Sequence, residues 1–139
     1  TRLTNLSKSV RMHRIKTVAA WALQILLGAM FVFQGVSKLL SSPGWVSRFK
    51  AWGYPDKFYL VVGLIEVVCA VLLLVPKLSG FGSIILIIVK VAATITHVTN
   101  GEPQVATTLV LMALLSVIVY IRRSNFAQLR RMFKEKDSL

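Results

Sequence analysis

Polar side chains interrupt the long apolar stretches of this chain at several positions, and six of them are candidates for chemistry. They are Gln34, Lys38, Glu66, Lys90, Thr94 and His97. Lysine, glutamate and histidine can donate, accept or relay protons, and an ionisable group at the centre of a bilayer costs about 2.5 to 3.5 kcal/mol on insertion scales. Groups of this kind inside apolar segments are expected to face one another and to mark a ligand site or a proton pathway.

The spacing of these residues places them on shared helix faces. Lys90, Thr94 and His97 are separated by four and then three residues, and Gln34 and Lys38 are four residues apart. Residues at i, i+4 and i+7 lie on one side of an α-helix. The spacing therefore predicts one polar stripe on each of two helices.

Four apolar segments must position these residues. They cover residues 17–40, 58–76, 80–99 and 104–121, and 55% of the chain is hydrophobic against 16% charged. A bilayer core about 30 Å thick needs about 20 apolar residues in a helix that rises about 1.5 Å per residue. Soluble helices need a polar face, which these segments lack. We predict an all-α membrane protein whose domain of residues 17–121 is a four-transmembrane-helix bundle.

Basic residues outside these segments predict the orientation. The N-terminal segment 1–16, the tail 122–139 and the second loop carry twelve lysines and arginines, whereas the first and third loops carry three. Basic loops mark the cytoplasmic side, so both termini are predicted to be cytoplasmic, N-in and C-in. The net charge of +12 then reflects juxtamembrane clusters that attract anionic lipids, and nucleic acid is not an expected partner.

Depth in the predicted bilayer brings the polar residues together. Glu66 lies eight residues from the outer end of the second segment and Lys90 lies nine from the outer end of the third, while Lys38 and His97 each lie two residues from an outer end. We predict a polar cluster in the outer half of the bundle. A purely structural alternative stays open, in which Glu66 and Lys90 neutralise each other and hold two helices in register.

Two further stretches are predicted to be short amphipathic interfacial helices, because their large apolar residues repeat at helical spacing beside basic ones. These residues are Trp45, Phe49 and Trp52 after the first segment, and Phe126, Leu129 and Phe133 in the basic tail 122–139. Anchoring on the membrane surface is the expected role, and binding of a partner is the alternative.

Several kinds of catalytic site are excluded by the sequence. One cysteine, Cys69, and two histidines leave no disulfide, no CxxC pair and no metal-binding cluster. The chain also contains no nucleophilic triad, no phosphate-binding glycine loop and no HExxH motif. Any redox role would therefore need a non-covalent cofactor, and activity as an enzyme on its own is not expected.

Five short motifs in a fixed order resemble the DoxX-like family of small bacterial membrane proteins over roughly residues 20 to 122. They are Gly35-x-x-Lys38-Leu39, Gly53-Tyr54-Pro55, Gly63-x-x-Glu66, Leu74-x-Pro76 and Ala93-x-x-x-His97. The resemblance implies a four-helix bundle in the bacterial cytoplasmic (inner) membrane. Some relatives are subunits of a thiosulfate:quinone oxidoreductase or partner redox enzymes, distant animal relatives assist receptor assembly or cargo export, and many have no known activity.

The resemblance also bears on the polar residues. Lys38, Glu66 and His97 fall on recurrent polar positions of the family, whereas Lys90 stands where the family usually has an apolar residue. The first functional hypothesis is a redox-linked accessory subunit that binds a quinone or similar lipid-like molecule through these side chains together with Gln34 and Thr94.

Two other functions stay open. The second hypothesis is a non-catalytic assembly or scaffold protein, with a redox enzyme, another membrane protein or a second copy of the chain as partner. The third is a small transporter, which the lack of an internal repeat or broken helices disfavours.

Overall fold

The computed structural model describes residues 1–138 and the side chains of all of them except Asn125, Phe126, Gln128 and Leu129. Within that range the chain forms six α-helices and no strand, which confirms the all-α prediction. The helices are α1 (Arg2–Leu39), α2 (Pro43–Ala51), α3 (Phe58–Leu74), α4 (Ser79–Thr99), α5 (Val105–Ile121) and α6 (Arg123–Asp137).

The helix boundaries follow from a few residues. α1 runs for 38 residues because no glycine or proline interrupts its basic N-terminal half, so the predicted apolar segment 17–40 is the second part of a longer helix. α2 begins with Pro43, whose fixed backbone suits a first helical turn. α3 ends at Leu74 because Pro76 holds Val75 in an extended conformation.

Four of the helices pack around a common core. α1 lies against α3 and α5, and α4 lies against the same two helices. Each helix contributes side chains that are almost fully buried: Leu27 and Phe31 from α1, Cys69, Ala70 and Leu73 from α3, Leu86 from α4, and Leu111, Leu115 and Ile118 from α5. This packing holds the polar stripes of α1 and α4 toward Glu66 of α3.

The outer surface of these four helices is apolar. Large exposed side chains cover it on every helix, among them Ile25, Phe33, Val61, Leu64, Val68, Ile88, Ile95, Leu109 and Val110. α1 and α4 are long and apolar enough to cross a membrane, and α3 and α5 are apolar helices of 17 residues. A continuous apolar exterior of this kind indicates a membrane protein.

The two predicted interfacial helices are both present as helices. Phe49 of α2 is buried, and its ring is surrounded by the rings of Trp45, Trp52, Tyr54, Phe58 and Tyr59 at centroid distances of 5.2 to 6.3 Å. The aromatic face of α2 therefore packs on the protein itself. In α6 the predicted apolar face at Phe126 and Leu129 lies outside the described side chains, and Phe133 is exposed.

Candidate functional site

The Glu66 carboxylate of α3 is the centre of the polar cluster. It is 1% exposed and accepts a hydrogen bond from Lys38 Nζ at 2.7 Å on one oxygen, while Lys90 Nζ lies 3.5 Å from the other oxygen. Lys90 also donates to Gln34 Oε1 at 3.3 Å. Four of the predicted site residues therefore meet between α1, α3 and α4.

Lys38 is buried although its place near the end of its apolar segment put it close to the membrane surface. Helix α2 folds back over it, and the Lys38 ammonium lies 3.8 Å from the centroid of the Trp45 ring. The attraction between a cation and an aromatic face partly replaces the water that the ammonium loses. Glu66 consequently has Lys38 as its nearer partner and Lys90 as its more distant one.

Thr94, the fifth predicted residue, lies one helical turn beyond Lys90. Its hydroxyl donates to the Lys90 carbonyl oxygen at 2.7 Å and lies 2.8 Å from the hydroxyl of Thr108 on α5. Thr108 in turn donates to the Val105 carbonyl oxygen. These threonines tie α4 to α5, which is a packing role, and Thr108 also lines the cavity described below.

His97, the sixth predicted residue, takes part in a different group near the end of α4. Its Nδ1 lies 2.6 Å from one carboxylate oxygen of Glu102, and Trp52 Nε1 donates to the other oxygen at 2.8 Å. The Trp52 and His97 rings also meet edge to face, with centroids 5.5 Å apart. We refer to Trp52, His97 and Glu102 as the outer clasp, because they join the end of α2 to the α4–α5 turn.

The clasp changes the acidity of Glu102. The hydrogen bond from Trp52, followed by the one with His97, holds the pKa of the Glu102 carboxyl below its usual value, because both bonds favour the ionised form. Sequence reasoning missed Glu102 and the polar role of Trp52. The available signal was an acidic residue five positions after His97, across a turn.

A cavity of about 260 Å³ lies between the Glu66 cluster and the clasp. Lys38, Glu66 and Lys90 form its polar end, and His97 lies on its wall together with Thr96, whose hydroxyl hydrogen-bonds the Tyr54 hydroxyl. Apart from Thr108, the other walls are aromatic or aliphatic: Trp45, Phe49, Trp52, Phe58, Val62, Ile65, Ile88, Val89, Ala92 and Ala93. Gln34 and Thr94 contact the cluster from behind and do not line the cavity.

The cavity combines a few hydrogen-bonding groups with apolar walls, which is the usual composition of a small-molecule site. Its volume is below the roughly 300 Å³ at which such pockets commonly begin, so only a small group fits inside it. Among the described residues, no group of three or more histidine, cysteine or acidic side chains could hold a metal ion. The chemistry on offer is hydrogen bonding and proton exchange.

Comparison with known proteins identifies the family. The sequence pattern of the DoxX-like family matches residues 22–119, which include all six predicted site residues. The chain belongs to the DoxX-like family. This confirms the resemblance seen in the five motifs and agrees with the apolar exterior of a membrane protein. No curated protein and no solved structure matched the chain.

Proposed function

We propose that this chain is a multi-pass protein of the bacterial inner membrane, with four spans and both termini cytoplasmic, and that it binds a lipid-like ligand in the cavity. One observation carries the proposal: a cavity with aromatic walls closes on the buried Lys38, Glu66 and Lys90 side chains. Ionisable groups at membrane depth are retained mainly where they serve a function. The apolar walls accept a ring, and the polar end can recognise its oxygen atoms.

A quinone is the ligand that we propose first. A quinone carbonyl can accept a hydrogen bond from Lys90, whose contacts to Glu66 and Gln34 are long at 3.5 and 3.3 Å. Glu66 at the polar end and His97 on the wall are side chains of the cavity that can exchange protons with a bound quinone. The protein would act as an accessory subunit, with a partner redox enzyme supplying and removing electrons.

Intrinsic fluorescence provides a direct test, because Trp45 and Trp52 line the cavity. The purified protein would be titrated with a short-chain benzoquinone in mild detergent. We expect saturable quenching, and we expect the dissociation constant for the quinone to rise about tenfold in Lys90→Met. The reason is that a hydrogen bond to a charged group contributes about 1.5 to 3 kcal/mol. Lys50→Met, which removes an exposed lysine of α2, is the matched control.

Identical quenching by quinone in both variants would contradict the assignment of Lys90. Absence of saturable quenching, together with no quinone or other lipid recovered from the gently purified protein by mass spectrometry, would contradict the ligand site as a whole.

A second candidate function is a non-catalytic assembly protein. It is favoured by the fact that the same polar group holds helices together, since Lys38 joins α1 to α3 and Lys90 joins α4 to both. A stoichiometric co-purifying membrane protein, with no retained ligand, would support this function over the first. A small transporter remains the third and least supported proposal.

A further inference from the structure

A basic groove lies at the opposite end of the molecule from the cavity. His13, Lys16 and Thr17 of α1 form one side, and Tyr120, Ile121, Arg122, Arg123 and Ser124 form the other, around a volume of about 440 Å³. We propose that this groove binds the phosphate group of an anionic phospholipid. The inference rests on the membrane placement proposed above and does not depend on the ligand of the outer cavity.

The groove carries positive charge with no local compensation. Lys16, Arg122 and Arg123 line it, and no acidic side chain is among the described residues that do so. The five acidic residues of the chain all lie elsewhere: Asp56, Glu66, Glu102, Glu135 and Asp137. A concave surface with charge of one sign concentrates counter-ions, so an anion is the expected ligand.

Arg122 is held in place from inside the bundle. Its Nε donates to Gln24 Oε1 at 2.9 Å, and Gln24, which is fully buried in α1, donates from Nε2 to the Leu73 carbonyl oxygen at 2.7 Å. Leu73 lies in the last turn of α3, where backbone carbonyls lack donors within the helix. Contacts with α1 and, through Gln24, with α3 therefore hold in place the guanidinium of Arg122 at the end of α5. A solvated surface arginine would not need such contacts.

The same guanidinium has unused donor capacity. Its Nη2 is buried and has no hydrogen-bond partner among the described residues. A buried donor without an acceptor is unfavourable, and guanidinium groups bind phosphate oxygens with two parallel hydrogen bonds. A phosphate in the groove would pair with the part of the Arg122 guanidinium that lines it, and Lys16 and Arg123 would add charge.

The position of the groove along the helices indicates that the phosphate belongs to a lipid. It lies where the basic part of α1 gives way to the apolar part and where α5 ends. Trp21 and Tyr120 flank it, with their rings 5.8 Å from the Arg122 guanidinium and 4.2 Å from that of Arg123. Aromatic and basic residues together are typical of the headgroup level.

Trp21 makes the proposal testable by fluorescence. A variant with Trp45→Phe and Trp52→Phe keeps only Trp21, and it would be reconstituted in mixtures of phosphatidylglycerol and phosphatidylcholine in which one lipid at a time carries brominated chains. From the quenching of Trp21 we expect phosphatidylglycerol to bind about fivefold or more tightly than phosphatidylcholine. Each basic residue near the membrane surface raises the affinity for anionic lipid by about that factor. Mass spectrometry of the unaltered protein with bound lipids checks that the tryptophan changes do not create the preference.

Matched variants locate the site. Arg122→Gln and Lys16→Gln should each reduce the preference several-fold, whereas Arg131→Gln, which removes an exposed arginine of α6 outside the groove, should retain it. Lys16 is exposed, so its replacement leaves the fold intact even if Arg122→Gln does not. The proposal would be overturned by an equal preference for phosphatidylglycerol in all three variants, or by no such preference in the Trp21-only protein without these substitutions.

A last arm separates a lipid from a free ion. Inorganic phosphate is compared with chloride at the same ionic strength. Loss of the phosphatidylglycerol preference in phosphate alone would overturn the lipid assignment in favour of the free anion, and an unchanged preference supports the lipid.

Discussion

Gly35 of α1 and Gly63 of α3 face each other at the closest approach of the two helices. A Cβ atom on Gly63 would lie 2.8 Å from the Gly35 carbonyl oxygen, and one on Gly35 would lie 2.7 Å from that of Gly63. Lys38 and Glu66 each follow one of these glycines by three residues, so they lie on the same faces one turn further on. The glycine contact therefore sets the distance of the Lys38–Glu66 ion pair.

The first prediction concerns this contact. Gly63→Ala places a methyl group against backbone that cannot rotate away, so we expect a loss of about 1 to 3 kcal/mol in the free energy of unfolding, measured in detergent. Gly44→Ala is the matched control, since no described atom lies within 4 Å of its added Cβ. A parent-like melting temperature for Gly63→Ala would show that α1 and α3 are further apart.

The second prediction concerns the Glu66 cluster. Lys38→Met leaves a buried carboxylate with a distant partner, and Glu66→Gln leaves the buried ammonium groups of Lys38 and Lys90 without a carboxylate. Each variant should destabilise by about 3 to 5 kcal/mol and the double variant by less than the sum. The Lys90→Met and Glu66→Gln cycle should show a smaller coupling, because their charged atoms are 3.5 Å apart against 2.7 Å. Additive losses in the first cycle would contradict the ion pair.

The third prediction concerns pH and the outer clasp. The pKa of Glu102 is lowered in the folded protein by Trp52 and His97, so its contribution to stability is present above the unfolded pKa of about 4.3 and is lost as the pH falls through the lowered value. Glu102→Gln should therefore lower the melting temperature at neutral pH, and this deficit should disappear once the pH has fallen below the lowered pKa of Glu102. Asp56→Asn, which neutralises an exposed carboxylate, should have little effect at neutral pH. A Glu102→Gln deficit that persists unchanged in acid would exclude the clasp as its cause.

The fourth prediction concerns orientation. Single cysteines at Ser47 and Asn100, both exposed, should react with an impermeant thiol reagent in intact cells, whereas one at exposed Ser124 should react only after lysis. Cys69 is buried and replaced by alanine for the assay. The reverse labelling pattern would overturn the assignment of both termini to the cytoplasm.

Most helix boundaries were predictable because charged and turn-forming residues bound the apolar segments. The predicted segments 58–76, 80–99 and 104–121 end within two residues of α3, α4 and α5. The start of α1 was not predictable in this way. An apolar segment shows only the part of a helix suited to lipid, and α1 continues beyond that segment to Arg2. Helix propensity without breakers was the only signal for that extension.

Sequence reasoning predicted which residues form the Glu66 cluster, but it predicted less well which of them pair with each other. Counting residues from the segment ends brought Glu66 and Lys90 to one depth, but it could not show that α2 folds over Lys38 and turns it inward. The contact from Gln24 to Arg122 joins residues 98 positions apart, and no local pattern encodes it. Contacts of this length depend on how whole helices pack.

The unbroken course of α1 has a mechanical consequence. A helix advances about 1.5 Å per residue, so Lys8 stands about 14 Å beyond Thr17 on an arm that leaves the bundle. The same rod carries Lys38 at its other end, against Glu66. Tilting α1 as one rigid rod by its arm therefore moves Lys38 relative to Glu66, and this ion pair belongs to the lining of the cavity.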